Sequence, residues 1–229
     1  MSKECDQTPV VESGLPETTC GIDVRKLYEE NVDANLVRIG NGLSYGTGFL
    51  VSDNGNDCLI VTANHVVRST PITPVSVSNV DSRMYLASVV ARDKVHDLAA
   101  LKITSDFSCK GIPLAASSDN TPEGAGVFAS GYPVTTGVET VTPGIFRGKT
   151  EHPDPDDLQQ EELATNLYLK TEHQIVPGNS GGPMVNGDGQ VIGVISRSSK
   201  KDFAYSVPVD DIWQMLRSVE GWEKVQPQQ

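Results

Sequence analysis

The residues with the strongest claim to chemistry are a serine wrapped in glycines, Pro177-Gly178-Asn179-Ser180-Gly181-Gly182-Pro183, between two short apolar runs. Glycine on both sides lets bare backbone turn sharply and leaves the Ser180 hydroxyl exposed. The same bend lets two N–H groups of the Gly178-Asn179-Ser180 stretch, those of Gly178 and Ser180, converge on one point, as an oxyanion requires. A serine hydroxyl is a weak nucleophile near neutral pH and needs a base. Of the four histidines, His65 follows the apolar run 59–62, a rigid mount for a base; His96, His152 and His173 lack that setting. An imidazole base needs an acceptor on its second nitrogen to fix its tautomer, and Asp97, which opens the apolar run 98–103, fits best. The chemistry expected is acyl transfer, with Ser180 as nucleophile, His65 as base and Asp97 as its orienter. Singly, each of the three has an ordinary reading as a turn serine, a structural histidine and a strand cap. Their occurrence together is what carries the expectation.

Three side chains from distant segments stay in register only on a stiff scaffold. Short apolar runs punctuated by turn residues occur at 36–39, 48–51, 59–62, 75–77, 86–90 and 98–103, enough strands for one small barrel. A second set, 126–130, 139–146, 167–171, 183–185, 191–196 and 204–207, follows a Pro/Ser/Asn/Gly-containing stretch at 113–124. The expected fold is all-β, with two six-stranded antiparallel barrels. The expected domains are an irregular N-terminal arm (1–23), a first barrel (24–115) holding His65 and Asp97, a second (116–208) holding Ser180, and a C-terminal helix and tail (209–229). Apolar residues at 24, 27, 28 and 32 behind Asp23 predict a short amphipathic helix, and those at 209, 212, 213 and 216 predict another that packs on the second barrel. The acidic stretch 151–162 reads as a solvated loop.

The chain has 229 residues and a net charge of −12, so it offers no diffuse positive field to a phosphate backbone, and nucleic acid is not an expected partner. No stretch is long and apolar enough to span a membrane as a helix. The start, Met-Ser-Lys-Glu-Cys-Asp, has no apolar leader core; with a leader removed the compartment would be extracytoplasmic, periplasmic or secreted, and otherwise cytoplasmic. Cys5, Cys20, Cys58 and Cys109 form no CxxC pair, so no metal site is expected. They allow three pairings, Cys5–Cys20 with Cys58–Cys109 among them, or free thiols, and the sequence does not choose.

Thr62-Ala63-Asn64-His65-Val66-Val67, Asp97-Leu98-Ala99-Ala100-Leu101-Lys102-Ile103 and Gly178-Asn179-Ser180-Gly181-Gly182-Pro183 resemble, in the family's order, the three signatures of the HtrA/Deg-type trypsin-like serine proteases. Gly46-Thr47-Gly48-Phe49-Leu50-Val51 and Gly131-Tyr132-Pro133 resemble that family too, and the likeness runs from about 24 to 217. It implies a serine endopeptidase acting on proteins or peptides through an acyl-enzyme, with no cofactor. Asn179 stands where digestive relatives carry an aspartate that pairs with a new N-terminus, so activation by N-terminal cleavage is not expected. The residues after Leu216 are too few for the PDZ domain of many relatives, and a monomer and a homotrimer both remain open.

Two further stretches, 193–198 and 203–207, resemble the family's pocket walls, with Phe203 at the pocket floor. An apolar floor favours a small apolar residue before the cleaved bond. His173 and Gln174 are candidates for the same pocket, and the backbone of Ser196, Arg197 and Ser198 for pairing with an extended substrate. The rival readings are a binding scaffold that keeps the fold without turnover, and an esterase or transferase with the same triad. The esterase is disfavoured by the strand-rich texture.

Overall fold

The computed structural model describes residues 10–11, 23–40, 45–54, 57–77, 83–151, 166–199 and 203–222. Most of the expected arm, Cys5, Cys20, His152 and nearly all of the acidic stretch lie outside the described residues.

The twelve expected strands are all present and close into two antiparallel barrels. The first consists of β2 (Leu36–Gly40), β3 (Tyr45–Asn54), β4 (Asp57–Ala63), β7 (Leu98–Thr104), β6 (Tyr85–Asp93) and β5 (Ile72–Val77), closed by β5 pairing with β2. The second runs β8 (Gly126–Gly131), β9 (Thr140–Thr150), β10 (Tyr168–Glu172), β13 (Phe203–Pro208), β12 (Val191–Ser198) and β11 (Pro183–Asn186), closed through β11 and β8. A two-residue strand that the sequence pattern did not predict, β1 (Val10–Val11), pairs with β9 as Val10↔Val141 and Val11↔Thr140. Two residues are too few to carry an alternation signal.

β4 and β7 are buried along nearly their whole length rather than on alternate residues. Their inner faces fill the first barrel, while β12 covers β4 and the last helix, α3 (Val209–Leu216), covers β7. These two strands carry His65 and Asp97 at their ends, so the catalytic candidates are mounted on largely enclosed strands. The helix was expected on the second barrel; it instead bridges both, packing on β6 and β7 as well as β12 and β13. Trp213 Nε1 donates to the Ala115 carbonyl at 2.9 Å, and Asp210 accepts from Ser117 Oγ at 2.7 Å, which ties the helix start to the inter-barrel connection.

The N-terminal helix begins as expected with Asp23 accepting from the Lys26 N–H at 3.0 Å. It is α-helical only over α1 (Val24–Leu27), then widens to a π-turn at Tyr28–Val32. Val24, Tyr28 and Val32 are all fully buried at intervals of four. An α-helix of 3.6 residues per turn rotates such a series off its face, and a wider turn keeps it facing the core. Cys58 on β4 and Cys109 in the connection form a disulfide, with Cα atoms 5.8 Å apart.

Candidate active site

β4 and β7 pair as Thr62↔Ala99 and Ala63↔Leu98, so the residues just past the end of β4 face those just before β7. The short helix α2 (Asn64–Val67) starts there and carries His65. The Asn64 N–H donates to the Asp97 carbonyl at 2.9 Å, the His65 N–H to Asp97 Oδ1 at 2.9 Å, and the His65 ring pairs through Nδ1 with Asp97 Oδ2 at 2.7 Å. Asp97 takes a left-handed backbone, φ +58°, which short polar side chains tolerate better than most, and this bend turns its carboxylate back toward His65. On the far side of α2, Arg92 from β6 donates to Asn64 Oδ1 and to the Val67 carbonyl.

The second barrel completes the surroundings of Asp97. Ser196 Oγ donates to Asp97 Oδ2 at 2.6 Å from a bulge between Ile195 and Arg197 in the β12–β13 ladder. Burial pushes the Asp97 pKa up, but the hydrogen bonds and charge of His65, with the Ser196 hydroxyl, outweigh it and hold the carboxyl below the ordinary aspartate value. It is therefore an anion near neutral pH.

Ser180 lies in the turn between β10 and β11, fixed by backbone from both barrels. Its carbonyl accepts from the Thr47 N–H of β3 at 2.9 Å, and Gly181 and Ile195 exchange bonds with the loop through Gly181 N–H to Ile195 O and Ile195 N–H to Gly182 O. Thr47 Oγ1 donates to the Gly178 carbonyl at 2.8 Å and accepts from the Tyr132 N–H at 2.9 Å. Gly178 has φ +105° and Gly181 φ +85°. A Cβ on Gly178 would stand 2.3 Å from the Tyr132 carbonyl, and one on Gly181 2.1 Å from the Thr47 carbonyl, so glycine is required at both on two counts. Among the described residues, the N–H groups of Gly178 and Ser180 have no acceptor.

Gly46 ties the two halves together. A Cβ there would meet Val66 of α2 at 2.7 Å and the Ser180 carbonyl at 3.0 Å, so the His65 helix and the Ser180 turn press on the same glycine. Among the described residues no hydrogen bond joins the Ser180 hydroxyl to the His65 ring. Such contacts are often long without substrate and tighten when it binds.

The other sequence candidates separate. The Asn179 side chain is 1% exposed, with neither Oδ1 nor Nδ2 partnered. Gln174 and Ser198 are exposed, and Arg197 and Phe203 half-buried, with Lys170 Nζ 4.1 Å from the Phe203 ring centre. Ser196 directs its side chain inward to Asp97. His173 does not reach the surface. Its ring is fully buried against Gly144, near the Thr142 backbone, with neither nitrogen completing a hydrogen bond. Burial pushes its pKa down to about 3, so it is neutral near pH 7. His96 turns away to Asp93, Nδ1 to Oδ2 at 2.6 Å. Two supporting residues escaped the sequence reading, Thr47 and the Ser196 hydroxyl. Only the Gly-Thr-Gly spacing around Thr47 signalled a tight approach there.

Residues 46–194 match the family model of the trypsin-like peptidase domain. Among curated proteins, the chain is 34% identical over 169 residues to the mitochondrial serine protease HTRA2 of Drosophila pseudoobscura pseudoobscura, a match spanning 73% of this chain and 37% of that protein. The HTRA2 of Drosophila ananassae is 34% identical over 167 residues, with 73% and 37% covered. The chain thus spans just over a third of the length of the curated relatives it matches. Among solved structures, the Rv3671c protease in its inactive form superimposes with a TM-score of 0.69 at 24% identity, covering 85% of this chain and 93% of that one. An inactive-form mutant of Rv3671c from M. tuberculosis H37Rv gives 0.67 at 23% identity, with 87% and 92% covered, and both likenesses speak to the fold. With its two barrels and the match over 46–194, the chain belongs to the trypsin-like peptidase family, and its similarity there is to HtrA serine proteases.

Proposed function

We propose that the chain is a serine endopeptidase in which Ser180 attacks the peptide carbonyl, His65 takes its proton, and Asp97 holds His65 in the required tautomer. The observation that carries this reading is the bond from His65 Nδ1 to the enclosed Asp97 carboxylate at 2.7 Å, which leaves Nε2 as the basic nitrogen. The unpaired N–H groups of Gly178 and Ser180 stabilise the oxyanion as the carbon becomes tetrahedral. His65 then protonates the leaving amine, an acyl-Ser180 ester remains, and water activated by His65 hydrolyses it. Asp97 stays ionised and stabilises the imidazolium through both proton transfers.

The substrate on its acyl side would add a strand along Ser196 to Ser198, with the residue before the cleaved bond reaching toward Phe203. The apolar ring there supports small apolar residues, while the Lys170 ammonium over its face makes acidic residues a secondary choice. The test is labelling by a fluorophosphonate probe, followed by casein cleavage, for the unaltered protein and Ser180→Ala. Labelling and cleavage that both vanish in Ser180→Ala are expected. A folded protein that takes no label would overturn the reading in favour of a scaffold.

A further inference from the structure

We infer, resting on the peptidase reading above, that the cleft between the start of β3 and the Tyr132–Val134 turn holds the leaving-group side of the substrate and selects there for a carboxylate, with Arg38 as its partner. The two flanks of Ser180 are built by different strands. On one side β12 supplies Ser196 to Asp97; on the other Gly46 and Thr47 of β3 touch the Ser180 main chain, and the Val134 N–H donates to the Pro177 carbonyl at 2.9 Å. A peptide lying across Ser180 with its acyl side along β12 runs on over β3.

A cleft of about 290 Å³ opens at that place, lined by Arg38, Tyr45, Gly46, Tyr132, Pro133 and Val134. It adjoins a second of about 270 Å³ that shares Arg38 and Tyr45 and extends to Pro74 and Met84. Tyr45 and Val134 are each about half exposed, at 49% and 53%, and form apolar walls. Arg38 is the exposed position in a β2 otherwise turned inward. Its guanidinium lies over the Gly137 turn, where a Cβ would come within 3.5 Å of Nη2.

The chain has 30 acidic residues and 18 basic ones, and some of its surface cations are held by its own carboxylates: Arg83 by Asp106, Lys102 by Asp57, Arg147 by Glu172 and Lys149 by Asp119. Arg38 has no carboxylate partner among the described residues, although it lines the cleft beside the nucleophile. A planar guanidinium left unpaired there is matched by a carboxylate of the substrate. An extended peptide advances roughly 3.3 Å per residue, so the first few residues after the cleaved bond pass this cleft. The carboxylate is then an Asp or Glu side chain in that stretch, or the free C-terminus of a peptide that ends there.

Three quenched fluorescent peptides, identical up to the cleaved bond, provide the test. One carries Glu at the second and third leaving-group positions with an amidated end, one carries Gln there with the same end, and one carries Gln and terminates there as a free acid. At low salt the unaltered protein is expected to favour a carboxylate peptide about three- to fivefold in kcat/KM, the discrimination of a partly exposed ion pair, and to lose it at high salt. Whether Glu or the free acid gains tells side chain from terminus. Arg38→Gln should bring both ratios to about one, and Arg38→Lys should keep part of the preference. The same peptides bound to Ser180→Ala, followed by fluorescence polarisation, report the ratio without turnover. Ratios near one in the unaltered protein, or ratios that Arg38→Gln leaves intact, overturn the inference. Absence of fluorophosphonate labelling with an Arg38-dependent binding ratio would sink the peptidase reading alone.

Discussion

Ser196 Oγ and the Nδ1 of His65 share one oxygen of Asp97, at 2.6 and 2.7 Å, one arriving from each barrel. The orientation of the His65 ring, the proposed base, therefore depends on how the barrels meet. Ser196→Ala removes a donor to a buried anion, a bond of about 1.5–3 kcal/mol. We expect kcat to fall about tenfold with KM little changed, and the denaturant midpoint to drop. Asp97→Asn should lower kcat by roughly three to four orders of magnitude while the protein stays folded, because Asn tolerates the left-handed backbone as Asp does. Equal kcat for Ser196→Ala and the unaltered protein would show that His65 alone holds the carboxylate.

Thr47 occupies the corresponding position on the Ser180 side, donating to the Gly178 carbonyl and accepting from the Tyr132 N–H. Thr47→Val keeps the shape and deletes the hydroxyl, leaving both backbone groups unpaired in a buried place at about 1–3 kcal/mol each. The Gly178 carbonyl shares its peptide with the Asn179 N–H, which donates to the Val176 carbonyl, so releasing it loosens the turn that sets the flanking N–H groups of Gly178 and Ser180. The expected result is a fall in kcat larger than the fall in stability predicts, measured by burst kinetics beside urea unfolding. Loss of stability with kcat intact would confine Thr47 to holding the fold.

These two supports also mark where the sequence stopped being legible. The strands were readable because a barrel strand is a short apolar run between turn residues, a local pattern. Ser180, His65 and Asp97 stood out as candidates because each lies at the edge of such a run. The Thr47 bond to Gly178 joins residues 131 apart and the Ser196 bond to Asp97 residues 99 apart, and both cross between barrels. No period or neighbouring residue records such a contact. His173 shows the same limit from the other direction. Its place seven residues before Ser180 suggested a pocket rim, but Gly144 on the facing strand has no side chain and leaves a hole that the imidazole fills.

Gly181 should prove less replaceable than a turn glycine. Gly181→Ala sets a methyl 2.1 Å from the Thr47 carbonyl and 2.2 Å from Thr62 Oγ1 at φ +85°, and the carbonyl belongs to a central strand that cannot move aside. Backbone strain and overpacking together should cost about 3 kcal/mol or more and displace Ser180. Gly124→Ala is the comparison, since at φ +86° its Cβ meets nothing within 4 Å. It should lose only the roughly 1–2 kcal/mol of a left-handed alanine and keep full fluorophosphonate labelling. Similar behaviour of the two variants would mean that the turn at 181 relaxes freely.

His173 makes acid stability the last prediction. Its folded pKa, about 3, lies well below the ordinary 6.5, so the unfolded chain binds the proton more readily than the folded one. Stability is therefore unaffected above about pH 6.5 and falls as pH drops from there toward 3, by roughly 1.4 kcal/mol per pH unit, or about 2 kcal/mol at pH 5. Asp97 acts in a lower window, because its depressed pKa makes its contribution complete above about 4 and lost only below that. Burial raises the Asp211 pKa, so that carboxyl also adds to the pH dependence, and only the difference from a variant lacking the His173 ring isolates the His173 effect. Replacing the ring by an apolar side chain in His173→Leu fills the hole left by Gly144 and removes the titration. Urea unfolding at pH 7 and pH 5 should show the unaltered protein losing about 2 kcal/mol more than His173→Leu across that interval. Parallel losses in the two proteins would mean that the imidazole is protonated in place, with water or a carbonyl reaching one of its nitrogens.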